Sequence, residues 1–352
     1  MLLDKLKNKI VLYLLLTLII TTTMFTFYKI ESEKSANCFS TNKGEWITVT
    51  VTNDKSDLWL INTYTESKEK LLDKKDVLVS GVVNSTGDTL IYSDAIGTNP
   101  WDVFKLDIKT KETAQITNDY LGQFNLHFGD EKGNIIFAKS GGKSSPNPQI
   151  AKIDITKNEG EFLIPDTDVA IQDFDVGNNK IVAIKFSYSK FITKRFKEQD
   201  NSSKIKYSII EMDENGENVN ELLSIHAINL HSISFSASGD DMILGGKGLI
   251  NNEVGFYKFN LQEKNINPLL TEEELKKDSK INNFSQPYKG CLSSDEKNIY
   301  FVAVPADTKE ITFSGISTHT NALYKYNFEE KEVTEIFKLP DAFIPSISCT
   351  YQ

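Results

Sequence analysis

Two pairs of carboxylates are the residues of this sequence best suited to chemistry. Asp173 and Asp175 lie two apart in QDFDVG, and Asp240 and Asp241 are neighbours in SGDDM. On a strand, residues two apart share a face, so Asp173 and Asp175 can converge. Convergent carboxylates suit acid–base hydrolysis of a glycoside, or calcium binding. Aspartates also brace turns through nearby amides, which is the structural reading of the same residues. The histidines are His127, His226, His231 and His319, and no two have metal-ligand spacing. His127 and His231 fall in segments expected to line an interior channel. No G-x-S-x-G, H-E-x-x-H, C-x-x-C or P-loop occurs, so nucleophile-elbow, zincin and nucleotide-phosphate chemistry have no motif here. STNKGEW (40–46) approaches an S-x-D-x-G-x-x-W turn, but it is one residue short and has Asn for Asp. No cofactor or metal is implied.

A second cluster suits recognition. Residues 187–206, SYSKFITKRFKEQDNSSKIK, hold Lys190, Lys194, Arg195, Lys197, Lys204 and Lys206 in a chain of net charge −10. Tyr188, Phe191, Ile192 and Phe196 are interleaved with them. Mixed cations and aromatics suit contact with an anionic partner, either a polymer or an acidic protein face. The expected contact residues are Tyr188, Lys190, Phe191, Lys194, Arg195, Phe196 and Lys197. A solvated loop is the alternative. The acidic balance disfavours nonspecific nucleic-acid binding.

The N-terminus reads as a membrane tether. Lys5, Lys7 and Lys9 precede an apolar run that continues to about residue 28, long enough to span a bilayer. Lysines on its N-terminal side place residues 1–9 in the cytoplasm, residues 10–28 in the membrane and the remainder outside the cell. No small-x-small cleavage site directly follows the run. Glu31, Glu33 and Lys34 separate Cys38 from it, which argues against lipidation at that cysteine. Residues 29–35 form a linker.

From residue 36 to 352 the chain repeats itself. A polar turn between two apolar strands recurs in CFSTNKGEWITV (38–49), VVNSTGDTLIYS (82–93), HFGDEKGNIIFA (127–138), DFDVGNNKIVAI (173–184), SFSASGDDMILG (234–245) and CLSSDEKNIYFV (291–302). After each comes an alternating strand, an Asn or Asp break, a charged turn and a short apolar strand, as in VFKLDIKTKETAQIT (103–117). Period-two alternation is the strand pattern. Four strands recurring at roughly 45–67 residues define an all-β, six-bladed propeller. TEEELKKD (271–278) reads as one helical turn between blades. The tail IPSISCTYQ (344–352) copies LHSISFSAS (230–238), so it is expected to supply an inner strand to the first blade and remove a free edge.

The turns FSASGDDMI and LSSDEKNIY resemble the F-S-x-D-G-x-x-I repeat of TolB-type propellers, shared with the propeller domains of prolyl oligopeptidase and dipeptidyl peptidase relatives. The resemblance covers residues 36–352 and implies a six-bladed propeller that binds proteins or glycans. Ring closure would bring residues 37–40 and 346–350 together and make Cys38–Cys349 a disulfide candidate. Such a bridge would close a loop of about 310 residues and contribute around 4–5 kcal/mol in the chain-entropy model. Three unpaired thiols packed as small hydrophobes are the alternative.

The loops between the second and third strands of each blade open on one face. They are long in blades two, three, four and six (95–101, 140–148, 187–206 and 305–321). The expectation is a single-pass, extracytoplasmic, monomeric binding module that meets a protein or anionic polymer at the cell surface through this face. The competing expectation is a carbohydrate-active enzyme using channel acids such as Asp173 and Asp175.

Overall fold

A computed structural model describes residues 45–350, apart from 54, 75–79, 96–100, 119–120, 143–144, 158, 279 and 314–315. The proposed tether 10–28, the linker and Cys38 lie outside the described residues. Among the described residues no helix is long and apolar enough to cross a membrane.

Six antiparallel sheets follow one another along the chain. Blade one contains β1 (Trp46–Thr52), β2 (Ser56–Asn62) and β3 (Lys68–Lys74). Blade two is β4 (Ser80–Val83), β5 (Thr89–Ala95), β6 (Trp101–Asp107) and β7 (Thr113–Gln115). Blade three is β8 (Gly122–Phe128), β9 (Ile135–Gly142), β10 (Ser145–Asp154) and β11 (Glu159–Phe162). Blade four is β12 (Val169–Gly177), β13 (Lys180–Ser187), β14 (Ile205–Asp213) and β15 (Asn220–Ala227). Blade five is β16 (Asn229–Phe235), β17 (Asp241–Lys247), β18 (Val254–Asn260) and β19 (Asn265–Thr271). In blade six the inner position is split between β20 (Ile281–Phe284) and β21 (Gly290–Leu292). Both pair with β22 (Asn298–Pro305). A hairpin, β23 (Glu310–Phe313) with β24 (Ile316–His319), interrupts the path to β25 (Ala322–Asn327) and β26 (Glu332–Phe337). The segment 271–278 contains a single turn, Glu272–Leu275, capped by the Thr271 hydroxyl and anchored by buried Leu275.

The tail closes the ring. β27 (Phe343–Thr350) pairs antiparallel with β1 and becomes the inner strand of blade one, with Ile47 opposite Cys349 and Val49 opposite Ile347. The core lies between blades rather than within them. Ile184, Tyr207 and Ile209 of blade four pack on Leu244, Tyr257 and Phe259 of blade five. Phe256 of blade five meets Phe284 and Phe301 of blade six. Phe137 and Ile150 of blade three pack with Phe174 and Ile181 of blade four. A four-stranded sheet has two apolar faces, and only neighbours on both sides can bury them.

The repeat in the sequence has a local physical cause. In the first turn of four blades, a short polar side chain holds the amides of the following strand. Asn84 Oδ1 accepts from the Asp88 and Thr89 amides (both 3.1 Å), and Asp130 Oδ1 from Asn134 (2.6 Å). Ser236 Oγ accepts from Asp241 (3.3 Å), and Ser293 Oγ from Asn298 (2.9 Å). Three residues after each, φ is positive at Gly87, Gly133, Gly239 and Glu296, a conformation that glycine adopts without a Cβ clash. The second turn is more regular still. Asn62, Asp107, Asp154, Asp213, Asn260 and Asn327 each accept amides two or more residues ahead, an Asx turn in every blade.

The expected Cys38–Cys349 bridge is corrected here. Cys349 is bonded to Cys291, with Cα atoms 6.5 Å apart. The reason is positional: β27 brings Cys349 beside β21 of blade six, so the bond joins the last blade to the strand that closes the first. A non-reducing peptide map is expected to show Cys291 and Cys349 in one linked fragment. The enclosed segment of 58 residues gives about 4 kcal/mol in the chain-entropy model. Cys291→Ser should therefore lower Tm by about 5–10 °C in a domain of this size. A map with Cys349 joined to Cys38, or free, would contradict the assignment.

Candidate functional site

Antiparallel order gives the propeller two unlike ends. The first-to-second and third-to-fourth strand turns lie at one end, each held by the side-chain caps just described. The second-to-third strand loops and the blade-to-blade connections lie at the other. That end carries the β23–β24 hairpin and the insertion after β13, and two features there can take a ligand.

The first is the mouth of the central channel, a cavity of about 400 Å³ lined in part by Trp101, Phe124, Lys139, Asp173, His231 and Lys289. Inner strands place these groups. Asn125 has φ +52° at a bulge in β8, which turns its amide toward β12. Asn125 Nδ2 donates to Asp173 Oδ1 (2.6 Å), and its Oδ1 accepts from Lys289 Nζ (2.9 Å). Asp173 Oδ2 accepts from the Ile233 amide (3.0 Å). Lys139 Nζ donates to the Gln172 carbonyl (2.7 Å) and lies 4.9 Å from the centre of the Phe124 ring. Burial lowers the Lys139 pKa from 10.5, the Asp173 charge opposes this, and the Lys289 charge reinforces it. His231 stands edge-on to Tyr288 at 5.1 Å. Its Nε2 is buried and has no hydrogen-bond partner among the described residues. Two cations, an imidazole, serine hydroxyls and a Trp101 ring that is 40% exposed make a mouth suited to a polar, net-anionic group.

Deeper in the channel the acids serve the fold. Asp175 Oδ2 accepts from the Phe235 amide (2.8 Å), and Oδ1 from the Val176 amide (2.8 Å) and His127 Nδ1 (3.1 Å). All four oxygens of Asp173 and Asp175 are thus engaged, and two of them tie β12 to β16. Asp241 is likewise held by Asn260 (2.8 Å) and Lys258 (2.6 Å). Among the described residues no group of three or more His, Cys, Asp or Glu is arranged to hold a metal ion. His127 and His231 do occupy inner strands, β8 and β16, as their sequence positions suggested.

The second feature is the insertion 187–206, which is folded rather than an open loop. Tyr188–Ile192 forms a helical turn capped by Ser187 Oγ, and Thr193–Lys197 continues as a π-helical turn. The seven residues expected to form one contact surface divide into two sets. Tyr188 and Phe191 pack on the core between blades four and five, with Phe191 5.0 Å from Phe186. The Arg195 guanidinium donates to the carbonyls of Asp200, Ser203 and Ile228, so the only arginine is a brace. Lys194 pairs with Glu198 at 2.7 Å, and this contact raises its pKa. Lys197 and Phe196, which is 67% exposed, face outward, and Lys190 lines the cavity below. Beneath the insertion lies a cavity of about 540 Å³ that takes in Lys185, Lys190, Lys194, Lys204, Lys206 and His226. Lys185 and His226 were not singled out in the sequence. Alternation alone could have marked Lys185, because it faces opposite the core residues Ile184 and Phe186.

A closed six-bladed propeller with a polar channel mouth and one elaborated end defines the class, and the fold is that of a TolB-type six-bladed propeller. TolB from Acinetobacter baumannii is similar at TM-score 0.61 and 12% identity, over 87% of this chain and 66% of that one. This chain thus spans just under two thirds of that TolB. A putative TolB from Agrobacterium tumefaciens is similar at TM-score 0.54 and 9% identity (87% and 98% covered). A chain of a nidogen/laminin complex is similar at TM-score 0.54 and 10% identity with the same coverage. At such identities the likeness is one of fold. No family model and no curated protein matches the sequence.

Two outcomes follow from the channel. Asp173→Ala leaves the Ile233 amide without its acceptor and should cost about 1–3 kcal/mol in urea unfolding. His231 also gives a pH signature. Burial pushes it below 6.5, Asp173 opposes this and Lys139 adds to it. Its unfolded form therefore takes up a proton first as pH falls through 6.5, and stability drops from there toward the lower folded value. In His231→Gln the decline between pH 6.5 and 5 should be shallower. Parallel curves for the two proteins would exclude a buried, neutral His231.

Proposed function

We propose that this chain is a membrane-tethered, extracytoplasmic binding module whose elaborated end receives a protein or an anionic polymer. The observation that carries this reading is the asymmetry of the two ends. Capped turns close one end. The other bears the channel mouth, the lysine-lined cavity, the hairpin and the exposed rings Trp101 and Phe196. Aromatic and cationic groups at one end of a rigid ring suit recognition. The oxygens of Asp173 and Asp175 are committed to amides, which disfavours their use as an acid–base pair. The apolar run behind three lysines supports the tether and its orientation.

The test uses the full-length chain in membranes. Protease added outside intact cells is expected to remove the propeller, and a protected propeller would refute the orientation. Crosslinked partner recovered with Trp101→Ala/Phe196→Ala/Lys197→Glu should fall by about tenfold or more, equivalent to about 1.4 kcal/mol. Tyr64→Ala, at the opposite end and 80% exposed, should leave recovery unchanged. The reverse pattern would move the binding surface to the turn end.

A further inference from the structure

We propose that the cavity beneath the blade-four insertion is a binding site for phosphate esters. The inference deepens the reading of this end as a binding end but needs neither the tether nor a macromolecular partner. Lys185, Lys190, Lys204 and Lys206 come to it from three places: β13, the helical insertion, and β14 with the loop before it. None has an ion pair among the described residues. Lys194 is neutralised by Glu198. The lining holds two carboxylates, and each is held by its own wall. Asp168 accepts from Ser187 Oγ and the Ser189 amide (2.7 Å each), and Asp166 accepts from the Asp168 amide (2.8 Å). With Lys194 set aside, four lysines against two aspartates leave a positive basin in a chain of net charge −10. Convergent ammonium groups repel one another, and a bound anion relieves that repulsion.

The number of cations and hydroxyls favours a phosphate ester. Arg195, whose planar fork could grip a carboxylate or a phosphate in two places, is turned into the protein and bonded to carbonyls. What remains are several ammonium point charges, which suit the doubly charged, three-oxygen face of a phosphate ester, together with the hydroxyls of Ser189, Thr193 and Ser208. The volume of about 540 Å³ lies in the range of small-molecule sites. It exceeds a bare phosphate, so the ligand carries further phosphate or polyol groups.

Calorimetric titration of the full chain with tripolyphosphate and glycerol 3-phosphate, with citrate as the carboxylate control, tests the site. Binding of the phosphates at least about tenfold tighter than citrate is expected. Lys185→Gln/Lys206→Gln should weaken phosphate binding at least tenfold at unchanged Tm, and Lys289→Gln at the channel mouth should not. Phosphatidylglycerol vesicles that compete with tripolyphosphate would assign the source to a lipid headgroup, and vesicles that do not would assign it to a soluble phosphate. Citrate binding as tightly as the phosphates, no phosphate binding, or binding unchanged in the double variant at Lys185 and Lys206 would overturn the site. If phosphate binds as expected while partner recovery ignores the loop-end variants, only the wider function fails.

Discussion

Each inner strand of the ring has one edge without a strand partner, and the structure depends on how that edge is satisfied. Backbone groups left bare in a partly dry channel are costly. Side chains from the next blade serve instead. Asp173 and Asp175 take the Ile233 and Phe235 amides of blade five. Ser232 and Ser234 donate to the Tyr288 and Gly290 carbonyls of blade six. Thr350 donates to the Val83 carbonyl of blade two. Between blades two and three the bridge moves to the turn, where Asn84 donates to the Glu131 carbonyl. At the junction of blades six and one a covalent bond, Cys291–Cys349, takes this place. The longest closure of the fold, β27 onto β1, is made by strand pairing, and the disulfide fastens β27 to blade six across a separation of 58 residues.

This constraint reassigns the residues that first suggested chemistry. Convergent aspartates on an inner strand are what a channel-edge acceptor requires, and they are also what a glycosidase requires. Sequence spacing cannot separate the two uses, because both need alternate residues on one face. The partners separate them. An oxygen that already accepts a backbone amide is a poor base, and freeing it would open the seam between blades four and five. The channel mouth is different. There Lys139 and Lys289 are held by neutral groups, a carbonyl and an amide oxygen, so their charges face the cavity without a carboxylate neutralising them directly.

The fold was legible because the repeat records local chemistry that does not depend on tertiary context. An Asn, Asp or Ser that caps a turn must sit a fixed distance from a positive-φ residue and from the next apolar strand. Asn84, Ser236 and Ser293 obey that rule within sequences that otherwise diverge. The closure was legible because IPSISC repeats the inner-strand pattern after the sixth blade. The disulfide partner was not, since Cys291 and Cys38 occupy equivalent places in the repeat and both precede a turn. Cys349 meets Cys291 because β27 lies beside β21 in the closed ring, a long-range neighbourhood that the repeat does not record. The ordering of the insertion after β13 was not legible for a related reason. Its ordering comes from Arg195 reaching the Ile228 carbonyl across the boundary with blade five, and from Phe191 resting on Phe186. Both contacts are long-range, and neither leaves a periodic trace.

The same contacts explain how a basic site persists on an acidic protein. Lysines gathered on a mobile loop would spread apart and be screened within about 10 Å by salt. Here Arg195 and Phe191 hold the insertion down, and β13 and β14 fix Lys185 and Lys206 on the opposite wall. The backbone positions that carry the cations are therefore fixed in folding, and binding has only the lysine side chains left to order. A brace that contributes no contact of its own can thus govern affinity. Removing residues 187–206 as a block would confound the brace with the ligand groups, whereas substitutions at Lys185 and Lys206 leave the brace in place and change only the charge that faces the cavity.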